Sequence, residues 1–392
     1  MTTGMTRPMI FRHIALSLLA IGLSVLTGAA GQARAEILVG AAAPLSGPNA
    51  ALGTQLRRGV QMAVDDINAT GGIRGERLAV TFADDGCDPR KAVDVATEFV
   101  AAGVKAVIGH YCSGASIPAS KVYQKAGIMM ISPASTNPKL TDEGGWNVIR
   151  LVPRDDAQAA AAADLVRAKF TSRKIAIVSD QSPAFAALAQ RLRAELEATG
   201  MQPAALETYK AGTRDFDALV SRIIRAEAGV VYIAGTYVES GQIARALRAR
   251  GSQAQFISGD GLVTEDFLNQ AKEAADGTLM TFTYDPRNFA TARPVIERMK
   301  AEEQNAEGFT LYAYAAVQAL VAAAEGTGSL ESARLAEWLR AGNRFDTVVG
   351  PVIFDMKGDL KEPRVSWFRW LGGRYVDVDP ATLAPPLLDT TP

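Results

Sequence analysis

At 392 residues the chain is too long for one ordinary hydrophobic core and fits about two domains. Its 41 basic and 42 acidic residues nearly cancel, to a formal net charge of -1. That balance excludes the basic surface with which proteins neutralise nucleic-acid phosphates, so nucleic acid is not an expected partner.

Arg7 and Arg12 precede an apolar run, Ile14 to Leu26, and then small residues ending in Ala33-Arg34-Ala35. This order is that of a secretory signal peptide over residues 1–35, with an A-x-A cleavage site and a mature start at Glu36. The run is about 13 residues, short of the roughly 20 that span a bilayer as a helix. No cysteine stands at the cleavage site, which points to a soluble exported protein rather than a lipid-anchored one.

From Glu36 the pattern alternates. Strands are expected at Ile37 to Ala42, Leu78 to Ala83, Ala106 to Gly109 and Ile128 to Ser132. Helices are expected at Gly53 to Asn68, Asp88 to Ala102 and Ser116 to Ala126. The pattern breaks near Leu151 to Asp156 and resumes with strands at Lys174 to Ser179, Ala204 to Thr208, Val230 to Ala234 and Gln255 to Ser258. Helices near 184–199, 216–226 and 239–250 separate them. Such alternation means parallel βαβ units with right-handed crossovers, so the fold class is α/β, with two lobes in series. Helices at Tyr312 to Gly326 and Ser332 to Leu339 and a β-like stretch, Val348 to Val376, are too small for a third domain and complete the two lobes. The expected division is 36–153 with about 285–348 for the first lobe, 154–284 with about 349–380 for the second, and a frayed tail at 381–392.

Past the leader the chain holds one histidine, His110, and two cysteines, Cys87 and Cys112. There is no G-x-S-x-G elbow, no G-x-x-x-x-G-K-[ST] phosphate loop and no G-x-G-x-x-G after a strand. Too few ligands remain for a zinc site of His and Cys, and no metal or organic cofactor is implied. In an oxidising compartment the cysteine pair is expected as a disulfide. The competing reading is a Cys112 nucleophile with His110 as its base, since residues two apart on a strand share a face.

In parallel α/β lobes a ligand sits beyond the carboxyl ends of the strands, against helix N-termini whose free N–H groups favour an anion. Two segments fit: GHYCSG, Gly109 to Gly114, and ISPASTNP, Ile131 to Pro138. Ser113, Ser135 and Thr136 add hydroxyls there. Singly, each is equally a helix cap or turn residue.

Together with PLSGPNAALG (Pro44 to Gly53), DDINATGGIRG (Asp65 to Gly75), YAAVQAL (Tyr314 to Leu320) and VGPVIFDMKGDLK (Val349 to Lys361), these segments resemble the leucine/isoleucine/valine-binding proteins of ABC transporters. The likeness runs through nearly the whole mature chain. It implies a type I binding protein, two doubly wound parallel-sheet lobes joined by three crossover strands, with the ligand enclosed between them when they close. It places Cys87 and Cys112 on the family's disulfide, and Ser113, Ala134 and Thr136 on the positions that hold an amino acid's carboxylate and ammonium. Asp260 falls where the family has a glutamate for the ammonium, and Tyr237 where it has a cleft tyrosine; Tyr111 is a further candidate. Leu52 stands where an aromatic residue is usual, and Ala184-Phe185 where Tyr-Gly is. The function implied is a periplasmic, monomeric receptor that delivers a branched-chain amino acid to an inner-membrane ABC permease, and not an enzyme. The alternatives are the same fold with another small carboxylate or an amide, and a sensory binding module.

Overall fold

The computed structural model describes residues 36–385 together with Met1, Thr2 and Gly4. The expected signal peptide and the last residues of the tail therefore lie outside the described residues. In the first lobe β1 (Glu36–Ala43), α1 (Ala50–Ala69), β2 (Arg77–Asp84), α2 (Pro89–Ala101), β3 (Ala106–Gly109), α3 (Ser113–Ala126), β4 (Met129–Ser132), the one-turn α4 (Lys139–Asp142) and β5 (Val148–Arg150) follow one another. Their strands order as β2-β1-β3-β4-β5. The pairs β1–β3, β3–β4 and β4–β5 are parallel. Every residue of AVIG in β3 and MMIS in β4 is buried, as a strand covered by helices on both faces requires.

The second lobe opens with α5 (Asp155–Lys169) and continues through β6 (Ile175–Asp180), α6 (Pro183–Glu197), β7 (Ala205–Tyr209), α7 (Asp217–Arg225), β8 (Val230–Ala234), α8 (Tyr237–Ala249), β9 (Gln255–Ser258), α9 (Asp266–Ala271) and β10 (Leu279–Thr283). The chain then returns to the first lobe with α10 (Arg293–Ala301), α11 (Thr310–Thr327), α12 (Ser332–Arg340), β11 (Phe345–Thr347) and β12 (Gly350–Val352). Finally β13 (Val365–Leu371) and β14 (Arg374–Val378) add to the second sheet, whose order is β14-β13-β10-β9-β8-β6-β7. Its five parallel strands repeat the winding of the first sheet, and β13 and β14 extend it antiparallel. The chain thus passes between the lobes three times, near Leu151–Arg154, near Tyr284 and near 361–364.

Sequence periodicity explains the main helix contact. α1 buries Leu56, Val60 and Ala63 completely, a stripe at helical spacing, and lays it along α11. The two backbones meet at Gly59, where a Cβ would fall 2.0 Å from the Thr310 carbonyl oxygen. A side chain there would force the helices apart.

One boundary differs from the expectation. Residues 349–361, assigned from the sequence to the second lobe, pack on the first instead: β12 pairs with β11, and Gly358 O accepts the Arg150 N–H at 2.8 Å. The physical reason is charge. Arg150 has no exposed surface, and Asp359 supplies its counter-ion with Arg150 Nε to Asp359 Oδ1 at 2.8 Å.

Candidate functional site

A cavity of about 350 Å³ lies between the lobes. Its walls follow the carboxyl ends of the parallel strands: Pro48 and Asn49 after β1, Tyr111 to Gly114 after β3, Ala134 and Thr136 after β4, Ser182 to Phe185 after β6, Thr236 after β8 and Asp260 after β9. Both sheets change winding direction there, between β1 and β3 and between β6 and β8, which is where doubly wound folds hold ligands.

The first-lobe wall is built to receive an anion. α3 begins at Ser113, three residues earlier than the sequence pattern suggested, and Cys112 caps it without a side-chain hydrogen bond. The Cys112 carbonyl accepts from the Ala115 and Ser116 amides at 2.9 Å each, and Ser113 and Gly114, whose own amides precede the helix ladder, line the cavity at the positive end of the helix. Ser113 Oγ accepts the Asn137 N–H at 3.2 Å and so keeps its own proton for another acceptor. Behind this wall Arg150 fixes the Ile131 to Pro138 segment. Its Nη1 donates to Asn137 O at 2.7 Å and Ser135 O at 3.3 Å, and its Nη2 to Thr141 Oγ1 at 2.7 Å.

The second-lobe wall is acidic. Asp155, Asp180, Glu239 and Asp260 line the cavity, and among the described residues no Lys, Arg or His does. Asp180 is held by the Ser182 amide at 2.9 Å, and Glu239 by the Gly212 amide at 2.8 Å. Burial pushes Asp260 above the ordinary carboxylate range, and the charge of Asp155 pushes it further. Burial likewise raises Asp155, against the opposing pull of the Thr136 hydroxyl and the Arg150 charge. Apolar surface comes from Leu52, Phe185 and Phe309. Phe309 meets Tyr111 edge to face, with ring centroids 5.4 Å apart.

Comparison with known proteins decides the family. The chain matches the periplasmic binding protein family over residues 36–369. It is a periplasmic binding protein. It is 39% identical to the Leu/Ile/Val-binding protein homolog 1 of Brucella melitensis over 353 residues, which are 90% of this chain and 95% of that relative. It is also 39% identical over 356 residues to an amino acid binding protein of Pseudomonas aeruginosa, again 90% of this chain and 95% of the relative. Among solved structures it is similar to the branched-chain amino acid transporter substrate binding protein LivJ of Streptococcus pneumoniae in complex with isoleucine. The TM-score is 0.79 at 26% identity, covering 87% of this chain and 98% of that one. The role of such a protein is to bind solute and not to transform it. Among the described residues no helix is long and apolar enough to cross a membrane.

Of the site residues named from the sequence, this periplasmic binding protein brings Leu52, Tyr111, Ser113, Ala134, Thr136, Phe185 and Asp260 to one cavity. Two it does not. Ser135 is fully buried behind the wall, where its hydroxyl lies 2.7 Å from Ser116 Oγ and donates to Tyr111 O at 2.9 Å. Alternation along the chain turns it away from its neighbours Ala134 and Thr136. Tyr237 stands at the rim, where its hydroxyl donates to Pro48 O of the opposite lobe at 2.7 Å. Asp155, Asp180, Glu239 and Phe309 also line the cavity and are not among the residues expected from the sequence. Only Asp155 carried a local signal, since it sits at the pattern break and begins α5.

Cys87 and Cys112 form a disulfide with Cα atoms 5.4 Å apart, which removes the Cys112 nucleophile. His110 is fully buried and held from both sides, with Nδ1 2.7 Å from Asp85 Oδ2 and Nε2 2.9 Å from the Tyr123 hydroxyl. Both ring nitrogens are committed.

Proposed function

We propose that the chain is exported with removal of residues 1–35, works in the periplasm as a monomer, and closes its lobes on a free branched-chain amino acid. It then delivers leucine, isoleucine or valine to an inner-membrane ABC permease. One observation carries this reading: an anion-receiving wall, Ser113 with the α3 amides, faces the cavity-lining carboxylate of Asp260. An α-amino acid has the two complementary charges on adjacent carbons, and Leu52, Phe185 and Phe309 supply an apolar lining for its side chain. Ser113, Ala134 and Thr136 take the α-carboxylate, and Asp260 with the Ala134 carbonyl takes the ammonium. The names of the relatives support the same ligand class.

The test is thermal unfolding of the mature protein, refolded to strip carried-over ligand, against the L-amino acids and a set of aromatic carboxylates. A ligand at about 100 times its Kd stabilises by roughly 2.7 kcal/mol, a readily measured shift. Selective stabilisation by leucine, isoleucine or valine is expected. Stabilisation by an acid that lacks an ammonium, with none by any amino acid, would overturn the ligand, because such an acid leaves Asp260 uncompensated.

A further inference from the structure

Two carboxylates stand where one ammonium needs one. Asp155 begins α5 and Asp260 follows β9, both on the second-lobe wall of the cavity, and both elements belong to that lobe. Opening of the lobes therefore leaves the pair together. Gln158 lies between them: its Oε1 accepts from Thr281 Oγ1 at 2.8 Å, which fixes the amide so that its NH2 end donates to Asp155 Oδ1 at 3.2 Å. The Tyr232 hydroxyl is completely buried beside both acids and has no hydrogen-bond partner among the described residues. A fully buried donor left without an acceptor is costly, and it marks a place where a further polar group belongs.

We propose that Asp155 and Asp260 form one ammonium receptor that shares a single proton before the ligand arrives and releases it when the ammonium enters. The proposal rests on the amino-acid reading and names the second acid of its ammonium site. Two like charges in one buried site cannot both ionise without strong repulsion, so one carboxyl keeps its proton and the other does not. An ammonium placed between them favours both ionised forms. The balance is simple: one carboxylic acid, one carboxylate and an ammonium give two carboxylates, the same ammonium and a proton passed to solvent at the cleft.

The surrounding charges agree with this. Asp260 faces Asp155 and lies in the field of Tyr111 from the first lobe and Tyr232 from β8. Asp155 faces the charges of Arg150 on β5 and Asp156 on its own helix. Arg150 sits behind the wall and is already paired with Asp359, so it moderates the pair without neutralising it. Burial and mutual repulsion both hold the pair's second ionisation above the usual carboxylate range, toward neutral pH.

Calorimetric titration of the mature protein with leucine near pH 7, in buffers of different ionisation enthalpy, reads the proton directly. The expected result is close to one proton released per leucine in the native protein and clearly less in Asp155→Asn, where burial still raises Asp260 but the repulsion of Asp155 is gone. Leucine affinity should also fall about tenfold per pH unit below neutrality, with a flatter profile in Asp155→Asn. Leucine binding without proton release, or equal release in Asp155→Asn, would overturn the pair. Carboxyl NMR of the ligand-free protein tests it without any ligand. Asp155 and Asp260 should titrate in two well separated steps, and finding both ionised by about pH 5 rejects the proposal. Two separated steps together with no leucine binding would leave the pair standing and count against the amino-acid reading alone.

Discussion

The Tyr237 hydroxyl at the start of α8 donates to the carbonyl oxygen of Pro48 across the mouth of the cavity, at 2.7 Å. A second bridge lies deeper, where Gln55 Nε2 donates to Val263 O at 2.9 Å while Gln55 Oε1 accepts from Tyr111 at 3.2 Å and from the Phe309 amide at 3.0 Å. Both run from one lobe to the other. Tyr237→Phe keeps the ring and removes one bond worth about 1 kcal/mol, so leucine should dissociate about fivefold faster. Stopped-flow dissociation measures this, and an unchanged rate would place Tyr237 outside the closing contact.

Asp260→Ala should weaken leucine binding by more than about tenfold, because it removes one of the two carboxylates that compensate a buried ammonium and leaves Asp155 to do so alone. Calorimetry at neutral pH gives the number. Retained affinity within tenfold would remove Asp260 from the ammonium site.

The same carboxyl affects stability in the opposite sense. Its folded-state pKa lies above the unfolded value, so its contribution is fully present below the unfolded pKa and is lost as pH rises through the folded one. Asp260→Asn should therefore melt at a higher temperature than the native ligand-free protein at about pH 8.5, and close to it at about pH 4. Melting curves at the two pH values decide this.

Arg150→Met should destabilise the protein by about 3 kcal/mol, since it leaves the mostly buried Asp359 with only Arg154 as a cationic partner. Adding Asp359→Leu should recover most of that loss. Denaturant titration of the single and double variants checks the coupling. Independent effects of the two substitutions would show that the pair does not act as a unit.

Replacing both Cys87 and Cys112 by serine opens a loop spanning 25 residues and should cost about 3.5 kcal/mol by loop entropy. The midpoint of chemical unfolding measures this. Thiol titration of the native protein should find no free cysteine.

Much of the cavity wall is legible in the sequence alone. Ser113 and Thr136 follow strands in a βα alternation, and that position alone turns them toward a strand-end cleft. Ser135 has the same chemistry and the same neighbours, yet its hydroxyl is spent on Ser116 and the Tyr111 carbonyl. Nothing in the residue type distinguishes the two. Asp155 has no such signal of a cavity role, because a lone acid at a helix start is usually a favourable first-turn charge. Only the approach of β9 from about a hundred residues further along turns it into half of a pair.

The sequence by itself determined the two lobes, the parallel winding and the cysteine pair. These follow from local periodicity, short crossovers and the chemistry of an exported thiol, each of which acts within a few tens of residues. Tertiary structure alone decided that 349–361 belongs to the first lobe, that Tyr237 bridges the rim, and that four acids share one wall. Those outcomes depend on which distant groups meet in a low-dielectric interior. There a buried arginine demands its carboxylate and two acids must settle who keeps a proton.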